Sequence, residues 1–250
     1  MNKTAVGLYY MFGNITEEMA IHFALTLRKI PDLEQRVGSL LLILSSNGGS
    51  LGASQSIAES LTVLSDELSI PSVCFVCDKA LSASFLIACV ADHTTCTPGA
   101  VLGNVGAIFR AIDASEFLCR LGLEYQGFAS GELKDCLFPA SRKGELELSH
   151  LSEIARQNCR LFLAEIAKRR DFSETTLALL ESGSLLNGQS ALKAGLVDRT
   201  GGFLTALARA IELSGANEAD IVPLNKPTQQ ERDPRMLDQG VALFDSIRNG

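Results

Sequence analysis

The chain has 250 residues, 46% hydrophobic and 20% charged, which excludes a disordered polymer and allows a large core without help from disulfides or metals. A formal net charge of −7, with Lys and Arg scattered along the chain, excludes a nucleic-acid footprint, which needs clustered cations. Seven cysteines, an odd number placed mostly within apolar runs, argue for free thiols in a reducing compartment rather than a disulfide framework.

The opening stretch TAVGLYYMFG superficially mimics a secretory signal. It lacks a small-x-small cleavage site, and Glu17 and Glu18 follow at once, so it reads as a first strand. TEEMAIHFALTLRKI (16–30) carries Met19, Phe23 and Leu27 at helical spacing behind Thr16 and is expected to be an amphipathic helix. GSLLLILSS (38–46) is a continuous apolar run suited to a doubly buried parallel strand, NGGS breaks it, and LGASQSIAESLTVLSDEL (51–68) returns to helical period. PSVCFVC (71–77) is a third strand, with DKALSASFLIACVAD (78–92) as its helix. HTTCT and VGAIF are expected to be short strands with TPGAVLGN between them, and ASEFLCRLG and LEYQGFA continue the alternation. The pair Cys74 and Cys77 has redox spacing but lies in a strand instead of at a helix start that would activate a thiol.

From residue 145 the pattern turns helical. ELELSHLSEIARQNCRLFLAEIAKRR places Leu148, Leu151, Ile154 and Phe162 on or near one face, with a solvated charged face opposite; a helix pair, GLVDRTGG and TALARAIELSG follow. This alternation gives an α/β fold with a largely parallel sheet and a helical C-terminal part, in one domain over 1–223, and residues 224–250 form a polar linker and short tail. No uncharged apolar run approaches the ~18 residues of a membrane span. As it stands the chain therefore reads as soluble and cytoplasmic.

Ligands of parallel α/β sheets gather where strand ends lead into helix starts, which here means SSNGGS and DKALSAS. Gly48 and Gly49 let the backbone turn and expose N–H donors able to hold an oxyanion, although taken alone the pair more readily marks a tight turn without a ligand. Ser82 and Ser84 likewise have a plain role as helix caps.

SSNGGSLGASQSIAESL, PSVCFVCDKALSASFLIACVADHTTCTPGAVLGNVGAI, YQGFASGELKD and LLNGQSALKAGLVDRTGG together resemble, in order, the signal peptide peptidase A family of serine proteases, within the Clp-protease and crotonase fold group. The resemblance runs from about residue 5 to about residue 215. It implies a Clp-protease/crotonase-like spiral of β-β-α units. It places the family's nucleophile on Ser82, with Ala88, Ala91 and Asp92 holding the register, and its lysine base on Lys134. It implies an oxyanion hole from the N–H groups of Gly49 and Ala83, and puts Ser84 where relatives keep glycine. The chain departs from the pattern at Asn47, in place of a proline, and at Asn104, in place of a serine that helps hold the lysine; an asparagine side-chain oxygen can still accept from an amine.

The three histidines, His22, His93 and His150, do not suit a histidine triad, which leaves a Ser/Lys dyad. The implied activity is an acyl-enzyme endopeptidase for unfolded or apolar peptides such as signal-peptide remnants, with no cofactor and no metal. Peptide cleavage is expected to end with Ser82→Ala and with Lys134→Ala and to survive Ser84→Ala. The resemblance also implies a homo-oligomer, a ring or dome, with no nucleic-acid partner. Membrane association would come only through the oligomer surface or through the family's anchor, which these residues do not contain. Two other readings remain open at this point: a crotonase-like acyl-CoA enzyme, and a ring-forming scaffold with impaired catalysis.

Overall fold

A computed structural model describes residues 4–33, 36–215 and 220–226. The chain divides into two compact units, one running to Val105 and resuming at Glu165, the other spanning Gly106–Ala164.

The first unit is built on a mixed sheet. The strands β1 (Thr4–Phe12), β2 (Arg36–Ser46) and β3 (Ser72–Leu81) pair in parallel at its centre, and β8 (Asp220–Pro223) adds in parallel to β1. The helices α1 (Glu17–Arg28) and α2 (Leu51–Asp66) provide the crossovers from β1 to β2 and from β2 to β3, and α3 (Ala83–Val90) follows β3. Side chains alternate across the sheet with period two. Val6, Leu8, Leu41, Ile43, Val73 and Phe75 face one way and pack with Ala206 and Ala210 of α8 (Phe203–Leu213). The alternate residues face the other way, as Tyr9 does when its ring meets that of Phe23 on α1 edge-on at 4.8 Å. Burial on both faces explains why β2 reads as an unbroken apolar run rather than an alternating one.

β3 changes partners along its length. Its first half pairs with β4 (His93–Cys96), and its end, Lys79 to Leu81, pairs with β5 (Val101–Gly103). The change coincides with a break in the β2–β3 ladder, where the register passes from Leu44↔Val76 to Ser46↔Ala80. The helix expected over 78–92 therefore begins only at Ala83, because the residues before it are held as strand by β5. β5 pairs antiparallel with β6 (Leu185–Asn187), and β4 pairs with β7 (Arg199–Thr200). The helices α6 (Glu174–Glu181) and α7 (Gly188–Lys193) complete this unit.

The second unit contains α4 (Ser115–Arg120) and most of α5 (Glu145–Ala167). Here two expected strands fail: residues 105–109 and 123–129 have no regular structure, and Phe128 is 96% exposed. No residue from 106 to 161 is buried. Asp113 organises the unit, its carboxylate accepting from Ser115 N–H and Oγ at 3.0 and 2.6 Å and from Lys143 N–H at 3.0 Å. Beyond residue 226 the expected linker and tail lie outside the described residues. Among the described residues no helix is long and apolar enough to cross a membrane.

Candidate active site

The carboxyl end of β3 runs directly into α3, and Ser82 is the residue at the bend. Its backbone has φ 52° and ψ −128°, a region that L side chains avoid at a cost of about 1–3 kcal/mol and that persists only when its surroundings enforce it. Here the Ser82 N–H donates to Gly103 O at 2.8 Å, and the Ser82 carbonyl accepts from Phe85 N–H at 2.8 Å. Both sides of the bend are therefore pinned.

Ser82 occupies the N-cap position of α3, yet its hydroxyl makes no capping bond. Thr16, Ser50, Ser173 and Asn187, at the same position of α1, α2, α6 and α7, all accept from a first-turn N–H. The unusual bend turns the Ser82 hydroxyl away from that role and leaves it half-buried at the strand–helix junction. Ser84 behaves in the opposite way. It is fully buried, and its hydroxyl lies 2.8 Å from Leu81 O and 3.0 Å from Ser46 O, so it is spent on the backbone.

The turn after β2 packs onto this bend. Gly48 and Gly49 have φ of 99° and 152°, the left-handed region that favours glycine. A Cβ on Gly48 would lie 2.6 Å from Leu81 O, 2.8 Å from Ser82 Cβ and 3.2 Å from Ala83 N. One on Gly49 would lie 2.2 Å from Ile15 O, because the segment after β1 bridges to it through Ile15 N–H to Gly48 O and Ser50 N–H to Ile15 O. Of the two glycines, Gly48 is thus the one that lies against the bend. The N–H of Ala83, as the first helical residue, has no intrahelical acceptor, and the eight-residue helix behind it adds a field that favours negative charge at that point. The Gly49 N–H takes no part in the bonds that hold its own turn.

Asn104 follows Gly103, the residue whose carbonyl binds Ser82, and so stands beside the bend on the neighbouring strand end. It too has a positive φ, 51°, which asparagine tolerates better than most side chains. Its N–H donates to Ser184 O at 3.0 Å, and the residue is exposed. Ser82, Ala83, Gly48, Gly49 and Asn104 are therefore brought together in the first unit. Lys134 belongs to the second unit, on an exposed turn closed by its N–H to Gly131 O at 3.1 Å.

His22 Nδ1 is hydrogen-bonded to Tyr9 Oη at 2.8 Å, and His93 pairs with Val73 at the far end of β3 from Ser82. Burial pushes the Cys74 thiol far up, and it raises Cys89 to about 12 and Cys96 to about 11, so these sulfurs stay protonated. Cys74 and Cys77 project to opposite faces of β3, which rules out the redox pair their spacing permits.

The far end of α3 is anchored as firmly as its start. Arg170 donates from Nε to Cys89 O at 3.0 Å and from Nη2 to Ala91 O at 3.3 Å, while Nη1 binds Asp198 Oδ1 at 2.6 Å. Asp92 accepts from the Ser72 N–H and Oγ, both at 2.8 Å, tying the helix end to the start of β3.

A model of the family described as peptidase family S49 matches residues 66–217. A protein of Enterococcus faecium that carries the provisional name signal peptide peptidase SppA is 28% identical over 180 residues, 72% of this chain and 52% of its own, so the chain spans about half that relative's length. Protease 4 of Salmonella typhi is 26% identical over 183 residues, covering 73% of this chain and 29% of its own. Among solved structures, a mutant of the 1510-N membrane-bound stomatin-specific protease matches with a TM-score of 0.58 and 14% identity over 90% of this chain and 100% of that one. ClpP1 from Listeria monocytogenes matches with a TM-score of 0.52 and 12% identity over 82% and 95%. These structures carry the fold, and it is the Clp-protease type of α/β arrangement expected from the sequence. Because the matched residues 66–217 make up more than half of the chain, the chain belongs to peptidase family S49, a family of serine peptidases.

Proposed function

We propose that the chain is a serine endopeptidase in which Ser82 is the nucleophile and Lys134 the general base. The observation that carries this is Ser82 itself: a hydroxyl at a helix start, held in a strained bend and withheld from the capping bond its position offers. In the proposed reaction the Ser82 Oγ–H proton passes to Lys134 Nζ while Oγ attacks the peptide carbonyl. The N–H groups of Ala83 and Gly49 receive the developing oxyanion. Collapse expels the amine, which takes the proton from Lys134 and leaves an acyl group on Ser82. Water, deprotonated by Lys134, then releases the carboxylate. Asn104 orients the ammonium group through its side-chain oxygen.

A lysine acts as a base only when neutral, a state that burial promotes. Lys134 is exposed in the single chain, within a run of residues from 106 to 161 that has no buried member. The active form is therefore a homo-oligomer in which neighbouring copies cover this region and desolvate the lysine. Its substrates are unfolded or apolar peptides, signal-peptide remnants among them.

The test is labelling by a fluorophosphonate, read by intact mass and peptide mapping, alongside cleavage of a denatured protein and measurement of particle mass by light scattering. Wild-type protein should be labelled on Ser82 and cleave, whereas Ser82→Ala and Lys134→Ala should do neither above about one thousandth of the wild-type rate. Full cleavage by Ser82→Ala would remove the assignment, and a monomer with full activity would remove the role given to assembly.

A further inference from the structure

The two donors of the proposed oxyanion hole come from different segments: Ala83 from the bend after β3, Gly49 from the turn after β2. Their separation must be fixed for both to reach one oxygen, since such donors act at hydrogen-bond distance. The sheet holds the two segments together here through one pair, Ser46↔Ala80, set off from the rest of the ladder by a break in register. The β2–β3 ladder loses register between Leu44 and Ser46, so that Ser45 on β2 stands against Cys77, Asp78 and Lys79 on β3.

We infer that Ser84 is the positioning residue that joins these two segments, an inference that rests on the catalytic reading above. Its buried hydroxyl is shared between Leu81 O at 2.8 Å, on the last residue of β3 before the bend, and Ser46 O at 3.0 Å, on the last residue of β2 before the turn. Ser46 passes the link on, because its own Oγ accepts the Gly48 N–H at 3.0 Å, immediately before Gly49. Gly48 in turn presses against Leu81 and Ser82. One hydroxyl thus bridges the segments that present the two donors, and it does so from inside α3 without touching substrate. Removing it takes a shared donor from two inward-facing carbonyls beside the lone Ser46↔Ala80 pair.

The experiment compares wild-type protein with Ser84→Ala, Ser84→Thr and Ser84→Val on a fluorogenic peptide, measuring kcat and KM separately, melting temperature, and inhibition by a peptide aldehyde that forms a tetrahedral adduct. Ser84→Ala should still cleave, as expected from the sequence, but with kcat lower by roughly 10- to 100-fold, KM within about twofold, and the aldehyde weakened by a similar factor. Ser84→Thr, which keeps the hydroxyl, should recover most of the lost kcat, whereas its isostere Ser84→Val should not. A merely structural role would lower the melting temperature and leave kcat at the wild-type value once the assay is run well below the melt. That result, or equal kcat for the Thr and Val variants, would overturn the inference. Absence of fluorophosphonate labelling in the wild-type protein would instead strike the catalytic reading itself.

Discussion

Gly48→Ala tests whether the turn after β2 sets the geometry of Ser82. The added methyl would sit 2.6 Å from Leu81 O and 2.8 Å from Ser82 Cβ, where about 3.4 Å is the onset of ordinary contact, so one partner must shift by roughly 0.8 Å. Ile15 N–H to Gly48 O at 2.8 Å and Gly48 N–H to Ser46 Oγ at 3.0 Å hold the turn from behind. The displacement therefore falls largely on the bend that carries Ser82. The left-handed φ of 99° adds about 1–2 kcal/mol of strain for alanine. A misplacement approaching 1 Å at a reacting group costs on the order of 10²-fold in rate. We expect kcat/KM, and the rate constant for fluorophosphonate labelling of Ser82, to fall about 100-fold, with a melting temperature lower by about 3–8 °C. Gly49→Ala provides the contrast, because its methyl would meet the Ile15 backbone at 2.2 Å and disturb the link to the segment after β1 rather than the bend. If Gly48→Ala folded and were labelled at the wild-type rate, the turn would not position the nucleophile.

Arg170→Ala should cost about 3 kcal/mol, since it strips donors from the Cys89 and Ala91 carbonyls and removes the guanidinium from Asp198; chemical denaturation should show it, and Arg170→Lys should recover only part. Acid should destabilise the fold in two stages. Burial, reinforced by the nearby arginines and only partly offset by Asp198, holds the His93 pKa below its usual value, so stability falls as the pH drops below about 6.5 and the unfolded chain takes the proton first. At Asp198 burial opposes ionisation, but the Arg170 bond and the Thr94 N–H outweigh it and lower the pKa, so a second loss begins below about pH 4. Melting curves across this range should show both stages, and His93→Gln should remove only the upper one.

How far the sequence carries depends on what buries each segment. In the first unit the apolar residues meet one another within the chain, and there period and punctuation gave β1, α1, β2 and α2 to within two residues at most ends. The misplaced start of α3 arose because Asp78 and Lys79 look like a helix entry, whereas β5, a partner distant from any local signal, keeps them in the strand. The Ser82 and Ser84 pair was ambiguous for a related reason: both are good caps by residue type, and only φ and the neighbouring carbonyls separate the free hydroxyl from the spent one. The failed strands at 105–109 and 123–129 are more instructive. Ile108, Phe128 and their neighbours carry the hydrophobicity of buried strands, yet Ile108 is 67% exposed. An apolar run records that burial is required but does not record whether the same chain provides it. The segment that misled a single-chain reading is the one that holds Lys134, the residue whose proposed chemistry most needs a dry environment. In the proposed homo-oligomer a neighbouring copy would cover this region, which would account both for its exposed apolar side chains and for the exposure of the lysine.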